Sequence, residues 1–155
     1  APTIVIAPRH MHRVKPWQAL LSGAKLPAVM RSKQEGTIPA GSIVIWDTFG
    51  ELGQLYQLAD AVFVGGSLAP LGGQNFLEPL ALGRIPAAVR IWQDSLEALG
   101  LLQTGENAKA VAALLQQQLA TPTPHDAVRE RFQHWLAPRL GGSARCAQRL
   151  LDEMK

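Results

Sequence analysis

The chain has 155 residues, of which 47% are hydrophobic and 17% charged, a composition that supports a buried core and excludes a disordered chain. No apolar stretch approaches the roughly 20 residues that a membrane-spanning helix needs. The net charge of +3 is modest and the basic residues are scattered, which favours an ordinary solvated surface over a nucleic-acid partner. With one cysteine, Cys146, the sequence predicts no disulfide framework and fits a reducing compartment, and no Cys/His spacing indicates a metal site.

Short apolar runs alternate with helical segments along the first half of the chain. Continuous β-branched runs of this kind are typical of parallel strands that are buried on both faces. The alternation predicts an α/β fold with a Rossmann-like parallel sheet and flanking helices. The predicted strands are residues 3–7, 28–30, 43–46 and 61–64, and the predicted helices are residues 16–22, 51–59 and 75–82.

The last third of the chain has a different pattern and predicts a helical C-terminal end. Helices are expected over residues 108–119, 126–136 and 143–154, because prolines and a glycine pair interrupt the sequence between them. The run Gln116-Gln117-Gln118 is interpreted as a polar helix face.

Polar and glycine-rich residues follow three of the predicted strands. In an open parallel sheet, ligands bind at the carboxyl ends of the strands. We therefore expect three segments to converge on one edge of the sheet, namely residues 8–13, 47–52 and 65–79.

The third of these segments combines four glycines, a serine and the start of a predicted helix. Glycines let backbone N–H groups approach a phosphate closely, and a helix N-terminus favours its negative charge. Asn75 followed by Glu78 also fits a variant capping box that needs no ligand, and the glycine pairs fit simple turns. On the residues alone both interpretations stay open. The glycines are Gly65, Gly66, Gly72 and Gly73, and the serine is Ser67.

The other two segments carry charged and aromatic residues. Arg9 is placed where a phosphate or carboxylate could be gripped, and His10 is interpreted as a hydrogen-bonding partner that faces away from His12 on an extended chain. Asp47 or Thr48 could cap the helix that follows, with Glu51 in its first turn. The alternative is that the backbone at Phe49 and Gly50 lies against a base or ribose.

Taken together, these motifs resemble a known family. Pro8-Arg9-His10, then Asp47-Thr48-Phe49-Gly50-Glu51-Leu52, then Val64-Gly65-Gly66-Ser67 with Gly72-Gly73-Gln74-Asn75-Phe76-Leu77-Glu78-Pro79 are similar in order and spacing to the 3-deoxy-D-manno-octulosonic acid (Kdo) transferases. The match is to the C-terminal nucleotide-binding domain of that GT-B glycosyltransferase family and covers most of the chain.

The resemblance implies a transfer of Kdo from CMP-Kdo to a lipid A precursor, during synthesis of the lipopolysaccharide inner core. It implies an inverting reaction with no metal and no cofactor beyond the donor substrate. The full-length enzyme is expected at the cytoplasmic face of the bacterial inner membrane, whereas this fragment is expected to be soluble.

The resemblance also implies roles for individual residues. Arg9 and His10 belong to a motif near the CMP phosphate and base, and Phe49 and Gly50 flank the cytidine. Glu78 aligns with an acid on the ribose hydroxyls, which suits a carboxylate that accepts two hydrogen bonds. The expected phosphate side is formed by Ser67 and Asn75, with Gly66 and Gly73 in the surrounding loop.

Several departures from the family pattern limit what this chain is expected to do. The family's catalytic glutamate lies in an N-terminal acceptor domain, and neither that domain nor the first strand-helix unit of the C-terminal domain matches any part of this chain. Gln74 stands where the family usually has histidine, and a segment is expected to be missing between Pro86 and Ala87. We therefore expect a fragment, residues 1–155, that holds CMP without catalysing transfer.

Two alternatives to a Kdo transferase remain on the sequence. One is another GT-B enzyme that uses a UDP-sugar, or a related epimerase, since the glycine loop and Glu78 would serve there too. The other is a non-catalytic Rossmann-like module in which Asn75 and Glu78 only cap a helix.

Overall fold

A computed structural model describes residues 2–66, 74–89 and 94–153. It divides into two compact units, Ala1–Leu52 and Gly53–Lys155, and each unit is described by itself. Both units have a three-stranded parallel sheet with flanking helices, which confirms the predicted α/β class.

The first unit is built on a sheet with the strand order β1-β3-β2. Both outer strands run parallel to β3 and are in register with it, so that Ile6 and Met30 each lie beside Ile45. Val44 and Ile45 of the central strand are fully buried, as their β-branched side chains favour. The elements are β1 (Ile4–Ile6), α1 (Val14–Gly23), β2 (Ala28–Met30) and β3 (Ile43–Ile45), with short 3-10 helices at Met11–Arg13 and Arg31–Lys33.

The second unit has the strand order β4-β5-β6, and the helix Ala108–Ala120 packs against all three strands. Its core includes Leu80, Leu101 and Val128, which are fully buried. The strands are β4 (Val62–Phe63), β5 (Pro86–Val89) and β6 (Gln103–Gly105). The helices are α2 (Leu52–Leu58), whose first residue belongs to the first unit, α3 (Leu77–Ala81), α4 (Asp94–Ala98), α5 (Ala108–Ala120), α6 (His125–Leu136) and α7 (Gly142–Glu153), with a 3-10 helix at Ala137–Arg139.

The predicted helices are all present, and their ends differ by a few residues. The first helix begins at Val14, two residues before the predicted start, because Pro16 is tolerated in the first turn, where its missing N–H needs no partner. The helix expected over residues 75–82 is confined to Leu77–Ala81. The helical C-terminal end is confirmed by α5, α6 and α7.

The expectation that every predicted strand is buried on both faces is wrong for β1. Ile4 is 50% exposed and Val5 is 40% exposed. The reason is that helix α1 packs mainly against β2 and β3, so that the side chains of β1 are less covered than those of β2, the other edge strand.

Pro86 and Ala87 are consecutive residues of one strand, paired with Val62 and Phe63 of β4. The expectation that a segment is missing between these two positions stays a prediction. Among the helices of the described residues, none combines the length and the apolar composition that a membrane crossing requires.

Candidate functional site

The first unit brings four of the predicted site residues to one edge of its sheet. Since β1 and β3 are adjacent and parallel, the segments that follow them leave the same edge, where Trp46 N donates to Ile6 O at 2.8 Å. Arg9 and His10 follow β1, and both are exposed. Phe49 and Gly50 follow β3 on the neighbouring strand. This edge is the carboxyl edge at which ligands of such sheets bind.

His10 and His12 do not face different ways, contrary to the expectation from an extended chain. Their rings stack with centroids 5.5 Å apart and an interplanar angle of 13°. The cause is the 3-10 helix Met11–Arg13, closed by Arg13 N donating to His10 O at 2.9 Å. A 3-10 turn brings residues two apart closer together than a strand does.

Residues 47–51, here called the 47–51 loop, are bonded to the 3-10 helix that follows β2. The Asp47 carboxylate accepts two hydrogen bonds from Ser32, one from its backbone N at 2.8 Å and one from its Oγ at 2.5 Å. Burial raises the pKa of Asp47, but the Ser32 hydrogen bonds and the charge of Lys33 outweigh burial and hold it below 3.8. The sequence predicts that Asp47 or Thr48 caps the next helix. In the structure the Asp47 carboxylate bonds to Ser32, and the Thr48 hydroxyl bonds to Glu51.

The far end of the 47–51 loop is bonded through Glu51. Its carboxylate accepts a hydrogen bond from Thr48 Oγ1 at 2.6 Å and lies 3.5 Å from Arg31 Nη2. The Arg31 guanidinium also lies over the Trp46 ring, 5.2 Å from its centroid. The Thr48 hydroxyl therefore forms a hydrogen bond within the loop, to the Glu51 carboxylate.

Between these bonded ends, the tip of the loop is open. Phe49 is 77% exposed, and Gly50 has a positive φ of 82° with no atom within 4 Å of the position a Cβ would take. An exposed aromatic ring beside an uncovered stretch of backbone is suited to stacking on a planar base.

Arg31 and Ser32 are functional candidates that the sequence reasoning missed. They come directly after the predicted strand 28–30, so the rule that ligands bind at strand ends could have singled them out. Neither belongs to the motifs that carry the family resemblance.

The second unit holds three of the predicted site residues, Gly66, Asn75 and Glu78. Gly66 follows β4 and adopts a positive φ of 81°, which glycine allows without strain. Two further predicted residues, Ser67 and Gly73, lie outside the described residues. The expectation that the loops of both units share one edge stays a prediction.

Asn75 and Glu78 are joined to each other at the start of α3. Asn75 Oδ1 accepts from Leu77 N at 2.9 Å, and Asn75 Nδ2 donates to Glu78 Oε1 at 3.1 Å. This arrangement differs from a capping box, in which the acid would accept from a backbone N–H. Among the described residues Glu78 makes no second hydrogen bond. Burial raises the pKa of Tyr56, and the negative charge of Glu78 raises it further.

A polar cleft of about 220 Å³ lies at the opposite, amino-terminal edge of the second sheet. Its buried base is Arg84, which is 8% exposed and donates from Nε to Tyr56 O at 2.9 Å, with further contacts to Gln57 O and His125 Nε2. Burial lowers the pKa of His125, and the neighbouring Arg84 lowers it further. Because the guanidinium has three protein acceptors, its geometry is that of a structural cross-link.

The described residues contain no group of three or more His, Cys, Asp or Glu side chains arranged to hold a metal ion. The charged and polar groups at the candidate sites are suited to an organic ligand with an anionic group and hydroxyls.

No family model matches the chain. It is 32% identical over 158 residues to a 3-deoxy-D-manno-octulosonic acid transferase of Bordetella pertussis, an alignment that covers 97% of this chain and 37% of that protein. The corresponding transferase of Haemophilus influenzae is 29% identical over 160 residues, which cover 98% of this chain and 36% of that protein. The chain is similar to Kdo transferases over nearly its whole length. It spans little more than a third of these relatives.

A solved structure has the same fold. The C-terminal CMP-Kdo binding domain of WaaA from Acinetobacter baumannii superposes on this chain with a TM-score of 0.75. The superposition covers 85% of this chain and 72% of that domain's chain. At 24% sequence identity, this similarity establishes the Rossmann-like fold. The resemblance to Kdo transferases, drawn from the motifs, is thus confirmed by the sequence comparisons, and the expected fold is confirmed by the structural one.

Proposed function

We propose that this chain is the donor-nucleotide-binding part of a Kdo transferase and that it binds the CMP portion of CMP-Kdo. The observation that carries the proposal is the similarity to Kdo transferases over 97% of the chain, on a fold shared with a CMP-Kdo binding domain. The reaction proposed for the full-length enzyme is inverting transfer of Kdo to a lipid A precursor, without a metal, at the cytoplasmic face of the inner membrane.

In the proposed site, different residues bind the phosphate, the base and the ribose of the nucleotide. Arg9 supplies a positive charge for the phosphate, and Phe49 with the Gly50 backbone supplies a surface for the base. Glu78 supplies carboxylate oxygens for the ribose hydroxyls, with Asn75 beside it. The remaining residues proposed for the site are His10, Gly66, Ser67 and Gly73.

Catalysis needs a positioned acceptor and a general base as well as a bound donor. The chain spans 37% of its Bordetella pertussis relative, and we propose that these groups come from a part of the enzyme that it does not include. The fragment is accordingly expected to bind CMP and to show no transfer of Kdo. Measurable turnover by the fragment alone would contradict this expectation.

The direct test is calorimetric titration of the chain with CMP and with UMP. We expect tighter binding of CMP, and a loss of about 10-fold to 100-fold in affinity for Arg9→Ala and for Glu78→Ala, because each variant removes a charge-assisted hydrogen bond. Lys25→Asn and Glu130→Ala, which remove exposed charges away from the proposed site residues, serve as matched controls and should bind as the unmodified chain does.

Each outcome of this titration has a distinct meaning. A preference for UMP would favour a UDP-sugar enzyme. Binding of neither nucleotide by a folded chain would favour a non-catalytic module, in which the bonds between Asn75, Leu77 and Glu78 only start a helix. CMP binding that neither substitution affects would place the site elsewhere.

A further inference from the structure

The 47–51 loop is bonded at both ends and open at its tip. Asp47 at its start and Glu51 at its end both bond to the 3-10 helix Arg31–Lys33, whereas Phe49 and Gly50 between them make no hydrogen bond to a described residue. A loop whose ends are held has fewer conformations to lose when its tip binds a ligand. The bonds at the two ends should therefore raise the affinity of the tip for its ligand.

The Ser32–Asp47 connection is the stronger of the two. Both carboxylate oxygens are engaged, one by the Ser32 backbone and one by its hydroxyl, at 2.8 and 2.5 Å. Hydrogen bonds to an ionised carboxylate are short and roughly twice as strong as neutral ones. Fifteen residues separate the two partners, so the connection joins the segment after β2 to the segment after β3.

The Arg31–Glu51 connection is weaker, because its nitrogen and oxygen lie 3.5 Å apart. The two side chains are 35% and 31% exposed, and ion pairs that solvent can reach contribute little to stability. Arg31 is also held by its stacking on Trp46, the residue that immediately follows β3. It thus contacts the chain on both sides of the loop tip, at Trp46 and at Glu51.

We propose that Ser32 and Arg31 are positioning residues of the nucleotide site, which hold the 47–51 loop so that Phe49 and Gly50 present a fixed surface to the base. The inference rests on the proposed function, since it concerns the same site. Ser32 and Arg31 act through Asp47 and Glu51.

A purely structural role would have a different signature. Ser32 is exposed, and the loop tip buries little apolar surface, so the bonds to Ser32 add little to a hydrophobic core. Their effect should appear in the mobility of the loop and in nucleotide affinity more than in the unfolding of the chain. Measurements of both properties on the same variants separate the two roles.

The experiment compares Ser32→Ala and Arg31→Met with the unmodified chain, by hydrogen-deuterium exchange and by CMP calorimetry. Ser42→Ala is the matched control, because the Ser42 hydroxyl donates a comparable 2.7 Å hydrogen bond to Pro39 O at the opposite, amino-terminal end of β3. Ser32→Thr, which keeps the hydroxyl, is the conservative variant that should restore both properties.

We expect amides of the 47–51 loop to exchange about fivefold faster in Ser32→Ala, the effect of losing one hydrogen bond. CMP affinity should fall about threefold to tenfold in both Ser32→Ala and Arg31→Met, because the loop must then be ordered on binding. Ser42→Ala should leave both quantities unchanged, and Ser32→Thr should resemble the unmodified chain.

Three results would overturn the inference. Unchanged exchange in Ser32→Ala would show that Ser32 does not hold the loop. Faster exchange with unchanged CMP affinity would show that the held loop does not position the nucleotide. Failure of the unmodified chain to bind CMP would refute the proposed function and the positioning role with it, and the exchange data would still report separately whether Ser32 restrains the loop.

Discussion

Replacement of Gln118 by alanine should destabilise the second unit, whereas the same change at Gln116 should not. The Gln118 amide links the amino-terminal ends of all three strands of its sheet. Nε2 donates to Ile85 O at 3.0 Å and to Gln103 Oε1 at 2.8 Å, and Oε1 accepts from Val62 N at 3.3 Å. At about 1 kcal/mol for each intramolecular hydrogen bond, the expected loss is about 2–3 kcal/mol.

The assay is urea unfolding followed by circular dichroism, with thermal unfolding as a second measurement. For a unit of about 100 residues, such as Gly53–Lys155, 1 kcal/mol shifts the melting temperature by about 4–8 °C, so Gln118→Ala should lower it by about 8–24 °C. Gln116→Ala changes an exposed residue on the same helix and should stay within about 0.5 kcal/mol of the unmodified chain. Equal losses for the two variants would refute the assignment of a strand-linking role to Gln118.

Two further predictions concern backbone space and pH. Gly83→Ala should destabilise by about 2 kcal/mol or more in urea unfolding, because Gly83 has a φ of +81° and a Cβ there would lie 2.5 Å from His125 O. Gly36→Ala, at a φ of +77° with open space around it, should cost only about 1 kcal/mol, and equal losses for both variants would contradict the steric argument. Asp47 has a folded-state pKa held below 3.8, so its contribution to stability is present above pH 3.8 and is lost as the pH falls through the folded pKa. Asp47→Asn should remove that part of the acid dependence, and an unchanged acid limb in the pH profile of unfolding would show that Asp47 does not supply it.

The strands with continuous apolar runs were predictable from the sequence, and β6 was not. Gln103–Gly105 contains no β-branched run, so its pattern does not indicate a strand. It becomes one because β5 offers a parallel partner and because α5 packs closely over Gly105, where a Cβ would lie 2.8 Å from Val111 N. Both causes are tertiary.

In the candidate site, too, some features were predictable from the sequence and others were not. Its motifs follow strand ends, and similarity to Kdo transferases over nearly the whole chain confirms the family resemblance drawn from them. The partner of Asp47 was not predictable, because local pattern offered a helix cap as an adequate explanation. The expectation that His10 and His12 face different ways was wrong, because the sequence does not signal the short 3-10 turn that stacks their rings.

The sequence by itself determined the α/β class, the helical C-terminal end and the chemical types of residue that follow the strands, because these depend on local periodicity and composition. Only the tertiary structure decided that Asp47 bonds to Ser32 and that Gln118, of three adjacent glutamines, joins the strands. The physical reason is that such hydrogen bonds link residues far apart in the chain. Their geometry depends on which parallel strands lie side by side and in what register, which no local pattern specifies.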